Sequence, residues 1–108
     1  MQHTTLQKDS LLNETLPDEI LNNLSNFFKV LGDLTRVKIL FTLSKGELCV
    51  DDISKKLSMT PSSISHQLRI LRTSQLVTSK KMGKMVIYSL ADNHVETIFK
   101  QGLEHILE

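Results

Sequence analysis

His94 and His105 stand eleven residues apart in the stretch DNHVETIFKQGLEHILE, which reads as a single helix. Eleven residues make close to three whole turns, so both imidazoles fall on one face, about 16 Å apart along the axis. Each has a carboxylate within three residues, Asp92 before His94 and Glu108 after His105. Imidazoles and carboxylates are donors for a divalent cation, but zinc–nitrogen bonds are only about 2 Å long. One ion therefore cannot reach both histidines of one chain. Either they are ordinary surface residues, with Asp92 or Asn93 as an N-cap and Glu96 completing a capping box, or the second imidazole comes from another chain.

No other set of residues suggests chemistry. Ser65 and His66 adjoin on a helix face that points outward, and nothing is placed to activate water or a substrate, so no enzyme is expected. Cys49 is the only cysteine. It excludes an intrachain disulfide framework and fits a reducing cytoplasm. No apolar run approaches the roughly 20 residues of a membrane span, and the first residues lack the basic start and apolar stretch of a signal peptide.

The net charge of +1 hides an uneven distribution. Residues 36–84 carry ten basic side chains against three acidic ones, a balance of +7, while the segments on either side are each −3. A basic middle between acidic ends suits contact with a polyanion.

Residues 1–16 read as a flexible arm and 17–108 as one folded domain. After Pro17, the residues Ile20, Leu21, Leu24, Phe27, Phe28 and Leu31 recur at helical spacing. Gly32 ends that helix and Asp33 can cap the next, with Val37, Leu40 and Phe41 along one side until Lys45-Gly46. A third helix fits Val50–Leu57, with Ile53 and Leu57 inward. Thr60-Pro61 then marks a helix start, a capping hydroxyl followed by proline at the first helical position.

That fourth helix, PSSISHQLRILRTS, has a narrow apolar stripe of Ile64, Leu68 and Leu71. Its other faces carry Ser62, Ser63, Ser65, His66, Gln67, Arg69 and Arg72. Hydroxyls and a helix N-terminus bind phosphate, and glutamine and arginine can read base edges. Next come apolar residues flanking a turn at Lys81-Met82-Gly83-Lys84, a strand–turn–strand pattern with Lys80, Lys81 and Lys84 about its tip. A helix-turn-helix followed by a basic hairpin is a winged helix, mainly α with a small β-hairpin wing in the order α-α-α-α-β-β-α.

Four blocks in this order, VLGDLTRVKILFTL, ELCVDDISKKL, SSISHQLRILRTSQLV and KMGKMVIYSL, resemble the ArsR–SmtB family of bacterial metal-sensing repressors over roughly residues 24–108. The resemblance implies a homodimer, held through its first and last helices, that represses a metal efflux or sequestration operon and leaves operator DNA when metal binds. One family site uses cysteines on the third helix. Here Cys49 matches the first of them, Asp51 replaces the second, and only Asp52 and His3 of the arm remain as partners for a weak accessory site. The other family site has the pattern D-x-H, then H-x-x-E or H-x-x-H, matched by Asp92, His94, His105 and Glu108, with Glu104 as a substitute for the last.

Two copies of the last helix packed antiparallel about an axis near residue 100 would bring His94 opposite His105 and Asp92 opposite Glu108. Val95, Ile98, Phe99, Leu103 and Ile106 supply an apolar stripe for that packing, and Gly102 permits close approach. Two imidazoles and two carboxylates make a closed tetrahedral zinc site, which cobalt would tolerate. The imidazoles must be deprotonated to bind, so a metal response should weaken in acid. A repressor of the same family answering a non-metal signal, or a redox change at Cys49, is the alternative.

Overall fold

The computed structural model describes residues 15–108, so His3 and nearly all of the expected arm lie outside the described residues. Helix α1 spans Asp18–Leu31, with Asp18 and Glu19 in its first turn and Lys29 in its last. Those charges complement the positive and negative ends of the helix. None of its residues is buried, despite the apolar stripe.

Helix α2 spans Leu34–Leu43, and Asp33 caps it by accepting the Arg36 amide at 3.1 Å. Its buried residues are Ile39, Leu40 and Leu43. The expected inward face of Val37, Leu40 and Phe41 is thus corrected, since Phe41 stays 43% exposed. The segment LTRVKILFTL is apolar nearly all round, so periodicity alone could not choose its face.

A two-residue strand, β1 (Leu48–Cys49), comes next and was not foreseen. It pairs antiparallel with β3, Leu48 opposite Tyr88 and Cys49 opposite Ile87. The order is therefore α-α-β-α-α-β-β-α, and the wing belongs to a three-stranded sheet ordered β1-β3-β2. Helix α3 (Val50–Leu57) ends at Ser58, which adopts the left-handed conformation. The Ser54 hydroxyl closes the following turn on the Met59 carbonyl.

Helix α4 spans Pro61–Thr73, and Thr60 Oγ1 accepts the Ser63 amide at 3.2 Å. Strands β2 (Val77–Met82) and β3 (Met85–Leu90) follow, paired in register from Val77–Leu90 to Met82–Met85. The turn is tighter than expected, only Gly83-Lys84. Gly83 has φ +64, the positive value that a two-residue hairpin of this twist needs at its first position. Helix α5 (Asn93–Leu107) ends the chain.

Ile39, Leu40, Ile53, Ile64, Leu68, Leu71, Leu76 and Val77 are essentially inaccessible and form one core with Leu43 and Val95. Helices α2, α3 and α4 meet in it, and the sheet closes one side through Val77, Tyr88 and Leu90. Helix α5 adds only Val95 and the half-buried Phe99. Among the described residues no helix is long and apolar enough to cross a membrane.

Candidate functional site

The three fully buried residues of α4, Ile64, Leu68 and Leu71, pin one side of the helix to the core. Ser62, Ser65, His66 and Arg69 lie exposed on the opposite side. Ser63 and Gln67 are half-buried on a flank. Gln67 is engaged there, its Oε1 accepting from Nε of Arg36 at 3.0 Å. The nine residues expected at a polyanion thus fall into an open set and a flanking pair.

Arg72, near the end of α4, donates from Nη1 to the Ser79 hydroxyl at 3.1 Å and ties the wing to the helix. The hairpin is further fastened by Ala91 N–H donating to the Leu76 carbonyl at 3.0 Å. Lys80, Lys81 and Lys84 are all exposed. Lys80 Nζ lies 3.5 Å from a Glu47 carboxylate oxygen, which leaves Lys81 and Lys84 as the unpaired cations of the wing among the described residues. Arg36 and Glu47 were not singled out from the sequence, because each acts through a partner far away along the chain, Gln67 and Lys80.

At the head of α5, Asp92 caps the helix by accepting the Val95 amide at 3.1 Å, as one reading of the sequence required. It also places a second oxygen 3.5 Å from Nδ1 of His94. The Val95 hydrogen bond, helped by the adjacent His94, holds the Asp92 carboxyl below its ordinary range. Both side chains are largely open to solvent, His94 82% and Asp92 51% exposed. His105 lies farther along α5, and Glu108 ends the helix. Within one chain, among the described residues, no three histidine, cysteine or acidic side chains gather around a common point. Asp92 and His94 are brought together; His105 and Glu108 are not brought to them. Cys49 is buried in β1, while Asp52 is exposed.

An apolar groove of about 530 Å³ runs between α1, α2 and α5. Phe27 and Leu31 form one wall, Val37 and Leu40 the floor, and Ile98, Leu103 and Ile106 the other wall. Gly102 and His105 also line it, and a side chain at position 102 would meet open space. Of the residues that line it, Ile98, Leu103 and Ile106 are 41%, 42% and 77% exposed. Contiguous apolar surface of this kind marks an interaction site.

The family described as bacterial regulatory protein, arsR family, matches residues 33–79, from the cap of α2 into β2. A protein of Synechocystis sp. called transcriptional repressor SmtB homolog is 40% identical over 85 residues, covering 79% of this chain and 64% of its own length. A cadmium resistance transcriptional regulatory protein, CadC homolog, of Staphylococcus aureus is 39% identical over 84 residues, covering 77% and 69%. The chain belongs to the ArsR family. Its relatives in this ArsR family are DNA-binding transcriptional regulators, and the chain is accordingly a regulator and not an enzyme.

The ArsR-type fold agrees with a solved relative. The homodimeric winged helix-turn-helix DNA-binding domain Mb0332 of Mycobacterium bovis, a possible ArsR-family regulator, superposes with a TM-score of 0.74 at 26% identity, covering 83% of this chain and 82% of that one. The segment matching the ArsR family stops before most of the wing and all of α5. The residues around His94 and His105 therefore stand on their own geometry.

Proposed function

We propose that this chain is a metal-responsive repressor that holds operator DNA as a homodimer and releases it when zinc, or cobalt, occupies sites shared between subunits. The genes it controls would serve metal efflux or sequestration. One observation carries this reading: Asp92 and His94 lie side by side at the head of a helix whose apolar face is uncovered, with His105 on the wall of that uncovered groove.

The DNA-facing residues would be Ser62, Ser65, His66 and Arg69 on α4, flanked by Ser63 and Gln67, with Lys80, Lys81 and Lys84 following the backbone. A second copy laid antiparallel on the groove would cover Ile98, Leu103 and Ile106. It would also bring its own His105 and Glu108 towards Asp92 and His94. Two imidazoles and two carboxylates leave no open position, which suits a sensing site. The ion supplies a crosslink between chains. Residues that bridge two chains fix the angle between them, and that angle sets the separation of the two α4 helices. Operator half-sites lie about one helical turn, roughly 34 Å, apart, so a changed angle misplaces one helix. Coupling is reciprocal, so DNA should weaken metal binding by the same factor.

The test uses His94→Ala and His105→Ala chains. Each homodimer should bind DNA yet fail to release it with zinc. In a mixed dimer one site lacks both imidazoles and the other is whole, so one tight zinc per dimer should return. A mixed dimer as blind to zinc as its parents would exclude the shared site.

A further inference from the structure

Arg36 joins three helices. Its Nη1 donates to the Val30 carbonyl at 3.2 Å, and its Nε donates to Oε1 of Gln67 at 3.0 Å. Val30 lies in the last turn of α1, where carbonyls lack intrahelical donors and the helix end favours a cation. Gln67 lies on α4. With two sides of one planar group engaged, the guanidinium is fixed, and so is the amide it holds.

A glutamine side chain offers an acceptor oxygen and a donor nitrogen, and on an open surface it can turn either outward. A guanidinium only donates. Against Arg36 the oxygen of Gln67 must face inward, because the reverse would set two donors together. The Gln67 nitrogen is then directed away from Arg36 and has no partner among the described residues. No buried side-chain nitrogen or oxygen there is left without one, so this nitrogen reaches solvent. It does so on the half-buried flank of α4 that Gln67 shares with Ser63, beside the exposed side that carries His66.

We propose that Arg36 is a positioning residue for base reading: it clamps the Gln67 amide oxygen inward, so that Gln67 meets the major groove as a donor alone. The proposal rests on α4 being the helix that enters the groove. A free glutamine pairs with adenine through both ends of its amide, accepting from N6 and donating to N7. A clamped one favours edges that present acceptors, guanine N7 and O6 or thymine O4.

The experiment selects binding sites from randomised duplex DNA with the full-length chain and with Arg36→Met, Arg36→Lys and Gln67→Glu, while thermal unfolding reports the fold of each. The unaltered chain should prefer guanine or thymine at one position of each half-site. Gln67→Glu keeps the Arg36 contact as an ion pair but removes the donor, and should lose roughly tenfold or more of that preference. Arg36→Met frees the amide and should shift the same position towards adenine. Should Arg36→Met fail to fold, Arg36→Lys, which donates but cannot hold both partners in one plane, should broaden that position alone. Folded Arg36 variants with the base preference unchanged would make Arg36 a brace and overturn the proposal. So would an unchanged preference in Gln67→Glu. An unaltered chain that enriches no sequence would instead overturn the groove reading of α4, and this proposal with it.

Discussion

Asp92 and His94 share a carboxylate that is already occupied: Oδ1 accepts the Val95 amide at 3.1 Å while Oδ2 rests 3.5 Å from the imidazole. The same residue thus starts a helix and presents a donor beside a second donor. Capping and metal binding are separable because asparagine caps about as well as aspartate but is a poor ligand. Asp92→Asn should melt within a degree or two of the unaltered chain and bind DNA normally, yet release it with zinc only at much higher metal. A normal zinc response in this variant, measured by fluorescence anisotropy on bound DNA, would remove Asp92 from the ligand set.

Acid should reveal the cap itself. The Asp92 carboxyl is held below the ordinary aspartate value of 3.8, first by the Val95 amide. Its contribution is therefore present above that value and lost as pH falls through the lowered one. Asp92→Ala should be less stable at pH 7 by roughly 1 kcal/mol, a usual loss for an N-cap. The gap should close below pH 3.8. Urea unfolding at the two pH values measures it, and a gap independent of pH would show that the carboxylate charge adds nothing.

The groove gives a cleaner probe of assembly than its most apolar residue. Phe99 packs on the core and its ring centroid lies 6.0 Å from that of Phe41, so altering it damages the monomer as well. Leu103 and Ile106 are 42% and 77% exposed and owe little to their own chain. Leu103→Glu with Ile106→Glu should leave helix content unchanged by circular dichroism and give monomers by ultracentrifugation, with DNA affinity reduced at least tenfold. Retained dimers would place the interface elsewhere.

The lysines of the wing should differ in weight. Lys81 and Lys84 are exposed without a partner among the described residues, whereas Lys80 faces Glu47 at 3.5 Å. If each lysine neutralises one phosphate, Lys81→Ala with Lys84→Ala should lower the slope of log affinity against log salt by roughly 1.8. Lys80→Ala should lower it by less, since its charge is already partly offset. Equal losses from all three would mean that the Glu47 contact opens on DNA.

Helices, caps and the wing were legible because each rests on neighbouring residues. Asp33, Thr60-Pro61 and Gly83 act within three or four positions of themselves, where periodicity and turn chemistry speak directly. Strand β1 was not legible, since two residues carry no period and Leu48–Cys49 is a strand only by virtue of Ile87 and Tyr88. The face of α2 was misjudged for a related reason: with apolar residues all round, packing against α4 selects Ile39 over Phe41. The engagement of Gln67 by Arg36 was equally hidden, because 31 residues separate them. At the candidate metal site the spacing of the histidines was plain, but among the described residues one chain does not bring its ligands together, and under the proposed reading a second copy would have to complete the set.

The uncovered groove also bears on how the protein comes to exist. The core of α2, α3, α4 and the sheet can close within one chain, whereas the outer faces of α1 and α5 have nothing to close upon among the described residues. Maturation should then have two clocks, a fast one set by the chain and a slower one set by how often chains meet, since subunit assembly depends on concentration. Diluting a refolding mixture should stretch the second phase and leave the first untouched.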